Sequence, residues 1–381
     1  MPTYNTEKYL RDLYSKWLKF SIEIFFLDRK KFSTSFKELK VSDKVIEEVY
    51  NSYYKVPFFV FLAHVKDIIF SNNVFDFILK NASEDWKLWP YLKFLEKEKI
   101  IKVQKSGKVI LLKKDILNCI PEPKTEKEIK AILEKKLKVR VREGDTVVDL
   151  FKDFGEFEVK AGYDQMPISQ GSAIYVVKKI LEKIPFKGQM LFLGDDDFVS
   201  IILGLVEPKM ECVVSEIDEQ LINKIKFLSS KFKLNIRTER IDFIKDKNKK
   251  IKGNFVGFLT NPVYTLGAKE FVKFGINQFG KDGGFGLLEI GDEALGTRFL
   301  FLQDFFTKNN LIISELTTDK IFYPFISLYK EDKEILRRMS EMVDRNIVLK
   351  APRLGASLYV LKYLPQKPKI VKFKKHIYDY L

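Results

Sequence analysis

Three consecutive acids follow a single glycine in the middle of the chain. The stretch LFLGDDDFVS, residues 191–200, contains an apolar run, Gly194, then Asp195, Asp196 and Asp197, and the start of a second apolar segment. A strand that turns directly into a helix carries a glycine-rich turn when a nucleotide phosphate binds there. Three acids would instead repel an anion and attract a cation. The alternative is an acidic turn that caps the helix or binds a metal ion.

Further polar residues stand at the ends of later apolar runs, namely Glu216, Asp242 and Asn261. Ligands of an open parallel sheet bind at the carboxyl ends of its strands, so we expect these residues at one edge together with Gly194. A carboxylate after the second strand accepts the ribose hydroxyls of a nucleoside, which predicts that Glu216 binds ribose. Asp218 beyond it fits a helix cap. Asp242 is placed to meet the amino group of adenine, and helix capping is an equal alternative.

The loop formed by Asn261, Pro262, Val263 and Tyr264 offers a place for an amine. The side-chain oxygen of Asn261 and the carbonyl of Pro262 can accept hydrogen bonds from an amine nitrogen beside the Tyr264 ring. The loop is similar to the NPPY or DPPY loop of amino-directed methyltransferases. Asn-Pro turns are also common elsewhere, so the loop alone does not decide the function.

The three aspartates favour a donor that lacks a carboxylate. S-adenosylmethionine carries both an ammonium and a carboxylate, and enzymes that bind it place glycines in this first loop. Decarboxylated S-adenosylmethionine, as co-substrate, and a polyamine acceptor are the cations that fit three acids. One acid can also take a proton from the attacking amine, which must be neutral to act as a nucleophile. This chemistry needs no metal ion and no further cofactor.

An alternation of helices and strands from about residue 170 positions these groups. Strands are predicted at 189–193, 211–215, 235–238, 254–259, 284–289 and 311–316, with helices between most of them. Strands separated by helices indicate a parallel sheet. A further helix in SLYKEDKEILRRMSEMV and a final strand in ASLYVLKYL agree with the antiparallel last strand of a methyltransferase sheet. We therefore predict an α/β fold, a Rossmann-like class I methyltransferase-type sheet with helices on both faces, over residues 166–365.

A different pattern occupies the first third of the chain. Helical spacing around residue 92 is followed by a short strand, a Lys-Ser-Gly-Lys turn and a second short strand, which is the order of a winged-helix module. We predict such a domain over residues 1–120, and a solvated hairpin is slightly favoured over phosphate binding by its lysines. Those lysines are Lys102, Lys105, Lys108, Lys113 and Lys114. A linker and β-hairpin are predicted over 121–165, and a basic tail over 366–381.

The net charge and the small numbers of cysteines and histidines exclude or disfavour several classes of function. The chain of 381 residues has a formal net charge of +15, but the charge is spread along its whole length, so nucleic acid is a permitted and not a favoured partner. Two cysteines and two histidines, far apart, argue against a disulfide framework, a zinc site and a Ser-His-Asp triad. We expect no membrane association and a cytoplasmic location. Abundant Lys, Glu and Ile would fit a thermophile, and a gene rich in A and T gives a similar composition.

Four motifs in order resemble those of the archaeal and bacterial branched-chain polyamine synthases: YDQMPIS, GDDD with a serine three residues on, IDE and TNPVYTLGAKEF. These aminopropyltransferases make N4-branched spermidine derivatives from decarboxylated S-adenosylmethionine. The resemblance covers about residues 160–290. It implies transfer to a polyamine such as spermidine, a homodimer, and an aspartate of the 195–197 run, with Asp196 favoured, as the acid/base. Tyr163 and Asp164 would line the polyamine channel, or serve as a packed tyrosine and a capping acid.

Two features depart from that family pattern. The proline loop, usually Asp-Pro-Pro-Tyr, has Asn261 and Val263 here, which removes one negative charge, and the stretch KPKIVKFKKHIYDY is basic. Two other functions stay open. One is an S-adenosylmethionine-dependent nucleic-acid amino-methyltransferase, in which the loop from Asn261 to Tyr264 holds the target amino group. The other is a non-catalytic, polyamine-sensing DNA-binding protein.

Overall fold

A computed structural model of the chain describes residues 4–38, 55–81, 85–155, 157–263, 265, 267–324, 330–348 and 352–365. These residues form two compact units. The first runs to residue 122 and includes residues 281–283 and 365, and the second comprises residues 123–280 and 284–364. The tail predicted over 366–381 lies outside the described residues, as does Tyr264. No helix among the described residues is both long and apolar enough to cross a membrane.

Helices and one small hairpin make up the first unit. In chain order its elements are α1 (Tyr4–Glu38), α2 (Phe58–Ile69), α3 (Asp76–Asn81), α4 (Asp85–Lys97), β1 (Ile101–Val103), β2 (Val109–Leu111) and a 3-10 helix at Lys114–Asn118. β1 and β2 pair antiparallel across a turn in which Gly107 has φ +83°. Aromatic packing holds the helices together, with the Trp17 and Tyr91 rings stacked at 4.2 Å. The predicted order of helix, strand, turn and strand is confirmed, and its assignment to a winged-helix module stays a prediction.

The second unit begins with α5 (Glu126–Leu137), capped reciprocally by Thr125 and Glu128. The β-hairpin predicted after it is wrong. Residues Val147–Phe154 form a 3-10 helix, and a second short one spans Ala161–Tyr163. The reason is the spacing of the apolar residues, because Val147, Leu150 and Phe151 recur at three and four residues and are all buried. That spacing is helical, not the alternation of a strand.

The predicted alternation of helices and strands follows, and it is confirmed. Its elements are α6 (Gln170–Lys183), β3 (Gln189–Leu193), α7 (Val199–Val206), β4 (Glu211–Glu216), α8 (Glu219–Phe232), β5 (Ile236–Arg240), β6 (Phe255–Thr260), α9 (Ala268–Gln278), β7 (Gly284–Ile290), α10 (Asp292–Leu295), a 3-10 turn (Gly296–Arg298), α11 (Phe299–Lys308), β8 (Leu311–Tyr323), α12 (Lys330–Ser340), α13 (Arg345–Val348) and β9 (Leu354–Tyr363). The sheet order is β5-β4-β3-β6-β7-β9-β8. β9 runs antiparallel to both neighbours and the other pairs are parallel. This is the mostly parallel, methyltransferase-like Rossmann sheet expected.

Strand register brings four strand ends to one edge. Leu193 on β3 pairs with Ser215 on β4 and with Thr260 on β6, and Thr260 pairs with Leu288 on β7. The residues just beyond these pairs therefore meet at the carboxyl edge of the sheet. Because β7 and β8 both run antiparallel to β9, the end of β8 at Tyr323 reaches the same edge.

Candidate functional site

The acid loop, which we define as residues 194–198, turns β3 directly into α7. Gly194 has φ +76°, a left-handed conformation that favours glycine, and its N–H donates to the Ser215 carbonyl at 2.9 Å. Phe198 also has a left-handed backbone and immediately precedes α7. The turn is therefore fixed by its backbone, and it holds three aspartates close together.

Asp195 is committed to the start of α7. Its carboxylate accepts hydrogen bonds from the N–H of Ser200 at 3.2 Å and from the Ser200 hydroxyl. Its side chain is buried. A carboxylate that accepts an orphan N–H in the first turn stabilises a helix, so Asp195 has the capping role that an acidic turn predicts.

The segment 166–168 closes over the other two aspartates. The N–H of Met166 donates to Asp196 at 3.0 Å, and the N–H of Ile168 donates to Asp197 at 2.7 Å. Pro167, between Met166 and Ile168, has no N–H to donate. The two N–H groups that flank it therefore each donate to a different carboxylate. Asp197 is buried, whereas Asp196 keeps partial exposure. Asp196 is thus the aspartate of the loop that is most accessible to a ligand.

Burial is the main cause of the raised pKa values of these carboxyls. Burial raises the pKa of Asp195 well above that of an ordinary aspartate, against the lowering effect of the Ser200 hydrogen bonds. Burial followed by the charges of Asp197 and Glu216 raises the pKa of Asp196 well above its ordinary value. Burial also raises the pKa of Asp197 to about 6, and it raises the pKa of Glu216. The loop therefore binds protons that a bound cation would displace.

Glu289 on β7 is a further member of the cluster that the sequence interpretation missed. Its side chain is fully buried, and neither carboxylate oxygen has a hydrogen-bond partner among the described residues. Burial, followed by the charges of Asp197, Asp196 and Asp195, raises the pKa of Glu289 well above its usual range. A single acid inside the apolar run GFGLLEI is the signal that would have found it, because an unpaired acid is rarely placed in a core.

Asn261 connects the acid loop to β8. Its Nδ2 donates to Asp197 Oδ2 at 3.0 Å, and its Oδ1 accepts from the Tyr323 hydroxyl at 3.1 Å. An amide oxygen has two lone pairs, and the Tyr323 hydroxyl uses one of them. The second lone pair of Asn261 Oδ1 can still accept a hydrogen bond from a substrate amine, as predicted. Pro262 is buried next to it. The amine-binding role of this loop stays a prediction.

Glu216 and Asp218 lie at the end of β4 with distinct partners. Glu216 is buried, and its Oε1 accepts from the N–H groups of Ile217 and Asp218 at 2.8 and 2.9 Å. Asp218 caps α8 by accepting from the Gln220 N–H at 3.0 Å, which confirms its predicted role. It also pairs with Lys160 at 2.6 Å, and the pKa of Asp218 is lowered by this pair despite burial. Ribose binding by Glu216 stays a prediction.

Asp242 follows β5 and accepts backbone hydrogen bonds within a turn. Its Oδ1 accepts from the N–H groups of Ile244 and Lys245 at 3.0 and 3.1 Å. These bonds, led by that of Lys245, lower the pKa of the Asp242 carboxyl. The helix-capping alternative is wrong, because residues 243–248 form turns and no helix lies between β5 and β6. Adenine binding by Asp242 stays a prediction.

Tyr163 and Asp164 lie in an exposed turn before α6. Tyr163 is 48% exposed, and the ammonium of Lys160 lies 5.7 Å from its ring centroid. Asp164 is exposed and has φ +55°. Tyr163 is thus not the packed tyrosine of the alternative interpretation, and the predicted role of both residues in a polyamine channel is untested.

An open groove of about 510 Å³ lies elsewhere in the second unit, along α5, the start of α6 and the end of β8. Its lining includes Lys130, Glu143, Tyr175 and Lys320. None of the aspartates of the acid loop lines it. The carboxyl cluster therefore lies outside this groove.

The family model of the branched-chain polyamine synthase A C-terminal domain matches residues 147–374, which is more than half of the chain. The chain belongs to this family. The matched range begins at the 3-10 helix before α6 and includes the acid loop, Asn261 and Glu289. The branched-chain polyamine synthase resemblance of the sequence motifs is thereby confirmed.

Two proteins of Methanocaldococcus jannaschii are similar to this branched-chain polyamine synthase family member. Its N(4)-bis(aminopropyl)spermidine synthase is 37% identical over 94 residues, covering 24% of this chain and 27% of that protein. Uncharacterized protein MJ0675 is 27% identical over 186 residues, covering 48% of this chain and 47% of that protein. The chain thus spans less than half the length of these curated relatives.

One solved structure similar to the chain is the branched-chain polyamine synthase from Thermus thermophilus, in complex with N4-aminopropylspermidine and 5'-methylthioadenosine. It is 17% identical, with a TM-score of 0.44. The match covers 84% of this chain and 92% of that chain.

Proposed function

We propose that the protein moves an aminopropyl group from decarboxylated S-adenosylmethionine to a polyamine such as spermidine, giving a branched polyamine and methylthioadenosine. The observation that carries the proposal is the cluster of five carboxyls at the carboxyl edge of the sheet, four of them buried. Its members are Asp195, Asp196, Asp197, Glu216 and Glu289. Family membership supports the same reaction.

The partners of these carboxyls favour a cationic ligand. Hydrogen bonds reach them from backbone N–H groups, from Ser200 and from Asn261. Ion pairs of the described residues involve other acids, such as Asp218 with Lys160. A cation that enters the cluster stabilises the ionised carboxyls and is stabilised by them, whereas an anion would be repelled. Both proposed substrates are cations, and neither carries a carboxylate.

In the proposed step, the secondary ammonium of the acceptor first gives a proton to a carboxylate. The neutral nitrogen then attacks the propyl carbon that is bound to sulfur. A C–N bond forms while the C–S bond breaks, and the electron pair of the broken bond leaves with sulfur in methylthioadenosine. The product nitrogen carries the positive charge that the sulfonium carried before, so atoms and charge balance.

Asp196 is the proposed proton acceptor. It is the partly exposed aspartate of the loop, and a raised pKa makes an ionised carboxylate a stronger base toward an ammonium. Asp195 and Asp197 hold the loop through Ser200 and Ile168 and add negative charge. Glu216 is the proposed ribose ligand and Asp242 the proposed adenine contact, in agreement with their positions after β4 and β5.

Two parts of the proposal concern the whole protein. Residues 1–120 are proposed to contain a winged-helix module, which is supported by the order of α4, β1 and β2 along the chain. Such modules serve in nucleic-acid binding and in dimerisation. A homodimer is the proposed assembly because the family resemblance implies one.

The reaction is tested by incubating the full-length chain with spermidine and either decarboxylated or ordinary S-adenosylmethionine. Release of methylthioadenosine from the decarboxylated donor alone is the expected result. Methyl transfer to bulk tRNA from the ordinary donor would instead favour the nucleic-acid methyltransferase. Specific, salt-dependent DNA binding without turnover would favour the regulator.

A further inference from the structure

We propose that Tyr323 is a positioning residue of the acid loop, whose hydroxyl holds the Asn261 amide in the orientation that donates to Asp197. Tyr323 ends β8, which pairs at the far side of the sheet from β3, so nothing in the local sequence of the acid loop points to it. The consequence for catalysis rests on the proposed function, whereas the effect on Asp197 is independent of it.

The position of the Tyr323 hydroxyl is set by the sheet. The residue is 2% exposed, and its carbonyl accepts from the N–H of Arg353 at 2.8 Å. It also stands opposite Leu354 in the antiparallel pairing of β8 with β9. With both the ring and the backbone fixed, the hydroxyl reaches Asn261 Oδ1 at 3.1 Å.

The orientation of the amide decides which form of Asp197 is stabilised. In the observed orientation, Asn261 Nδ2 donates to Asp197 Oδ2 at 3.0 Å, which favours the ionised carboxylate. If the amide turned over, its oxygen would face Asp197, and that contact is favourable only when Asp197 is protonated and donates. In the turned-over orientation the Tyr323 hydroxyl would have to accept from the amide, and a phenol accepts more weakly than it donates. Its donation to Oδ1 therefore favours the observed orientation, and Tyr323 acts on Asp197 through Asn261.

The charged groups around Asp197 do not stabilise its ionised form. Asp195 and Asp196 lie in its own loop, Glu216 ends β4 and Glu289 lies on β7. All four are acids that favour the protonated form of a neighbouring carboxyl. The stabilisation of the ionised Asp197 comes from the Ile168 N–H and the Asn261 amide. If the Asn261 amide contact is lost, the Ile168 N–H is the one of these two donors that still stabilises the ionised Asp197.

Phe322, the residue before Tyr323, binds the chain next to the 166–168 segment, whose amides donate to the acid loop. The carbonyl of Phe322 accepts from the N–H of Ser169 at 2.7 Å, and its N–H donates to the Ser172 hydroxyl at 2.8 Å. Ser169 follows directly on the segment whose amides bind Asp196 and Asp197. The last two residues of β8 thus anchor both contacts of Asp197, one through Asn261 and one through the 166–168 segment.

The test is Tyr323→Phe, with Tyr175→Phe as the matched control. The Tyr175 hydroxyl lies 3.1 Å from the hydroxyl of Thr317, which is on the same strand as Tyr323. Its removal costs a comparable hydrogen bond outside the acid loop. The pKa of Asp197 is followed by ¹³C NMR of carboxyl-labelled aspartate, and its signal is assigned with Asp197→Asn. We expect Tyr323→Phe to raise that pKa by about one unit, a tenfold change in the ionisation constant, and Tyr175→Phe to leave it unchanged.

A second variant keeps the test decisive if Tyr323→Phe does not fold. Asn261→Leu removes the donor itself without altering β8, and it should raise the pKa of Asp197 in the same direction. In the Asn261→Leu background, Tyr323→Phe should add no further shift. An unchanged pKa in Tyr323→Phe or in Asn261→Leu, or equal shifts that add in the double variant, would overturn the proposal. Because the readout is a carboxyl pKa, an enzyme with no aminopropyl transfer would refute the proposed function and leave this inference standing.

Discussion

Asn261 Nδ2 lies 3.0 Å from Asp197 Oδ2, which joins the end of β6 to the acid loop after β3. At this position the family pattern has an aspartate, and a carboxylate at the same place would repel Asp197. The asparagine removes one charge and supplies a hydrogen-bond donor in its place. The departure seen in the sequence therefore changes how the acid loop is ionised, and not only how much charge it carries.

Restoring the acid at this position should increase the coupling between carboxyls. Asn261→Asp places a second carboxyl within hydrogen-bond distance of Asp197, and two carboxyls at that distance share one proton. We expect the acidic limb of the pH profile of kcat/KM, which reports the free enzyme, to move to higher pH than in the wild type, where the pKa of Asp197 is about 6. A limb that stays in place or moves to lower pH would contradict the assigned contact.

Loss of the proposed proton acceptor should abolish most of the activity. Asp196→Asn keeps the size of the side chain and can still accept from the Met166 N–H, so the fold should be preserved. We expect kcat to fall by about 10²- to 10⁴-fold, the range for removal of a general base. Methylthioadenosine release measures this, and Asp304→Asn, an exposed aspartate on α11, is the control that should change little. Retained activity would assign the proton transfer to Asp195 or Asp197.

Polyamine binding should release protons. The pKa values of the clustered carboxyls are raised in the free protein, that of Asp197 to about 6, so part of the cluster is protonated near pH 6. A bound polycation lowers those pKa values. Calorimetric titration with spermidine at pH 6–7, in buffers of different ionisation enthalpy, should show net proton release that declines at higher pH. Proton uptake, or an enthalpy that does not depend on the buffer, would exclude this electrostatic mechanism.

Replacing Glu289 should make the protein more stable. Its pKa in the folded state is raised, so its contribution to stability is most favourable below the unfolded pKa and is lost as the pH rises. Glu289→Met should therefore increase the free energy of unfolding at neutral pH, by on the order of 1–3 kcal/mol, and by less at pH 4. Thermal unfolding at both pH values measures the difference.

Glu315 provides the control of opposite sign for that experiment. It pairs with Lys179 and, at 2.6 Å, with Lys183, and these lysines lower its pKa despite burial. Its stabilisation is present above the unfolded pKa and is lost as the pH falls, so Glu315→Gln should destabilise the protein at pH 7 and have less effect near pH 4. If Glu289→Met also destabilised the protein at neutral pH, Glu289 would have a partner that stabilises its charge.

The sheet can be predicted from the sequence because apolar strand runs alternate with helical patterns and are separated by polar turn residues. The polar residues after β3, β4 and β6 were found for the same reason, since parallel strands deliver their ends to one edge. Glu289 was missed because it lies inside a strand and not after it. Tyr323 was missed because β8 was predicted to end at 316, and its extension to 323 depends on pairing with β9, a contact distant in sequence. The hairpin predicted over 145–161 is wrong because Val147, Leu150 and Phe151 recur at helical spacing.

The most direct measurement is product analysis by mass spectrometry after incubation of the full chain with decarboxylated S-adenosylmethionine and spermidine. The carboxyl cluster predicts methylthioadenosine in equal amount to a polyamine that is one aminopropyl group heavier and carries a tertiary nitrogen. Ordinary S-adenosylmethionine should give neither product. The absence of methylthioadenosine with the decarboxylated donor and every polyamine offered, from protein shown to be folded, would contradict aminopropyl transfer.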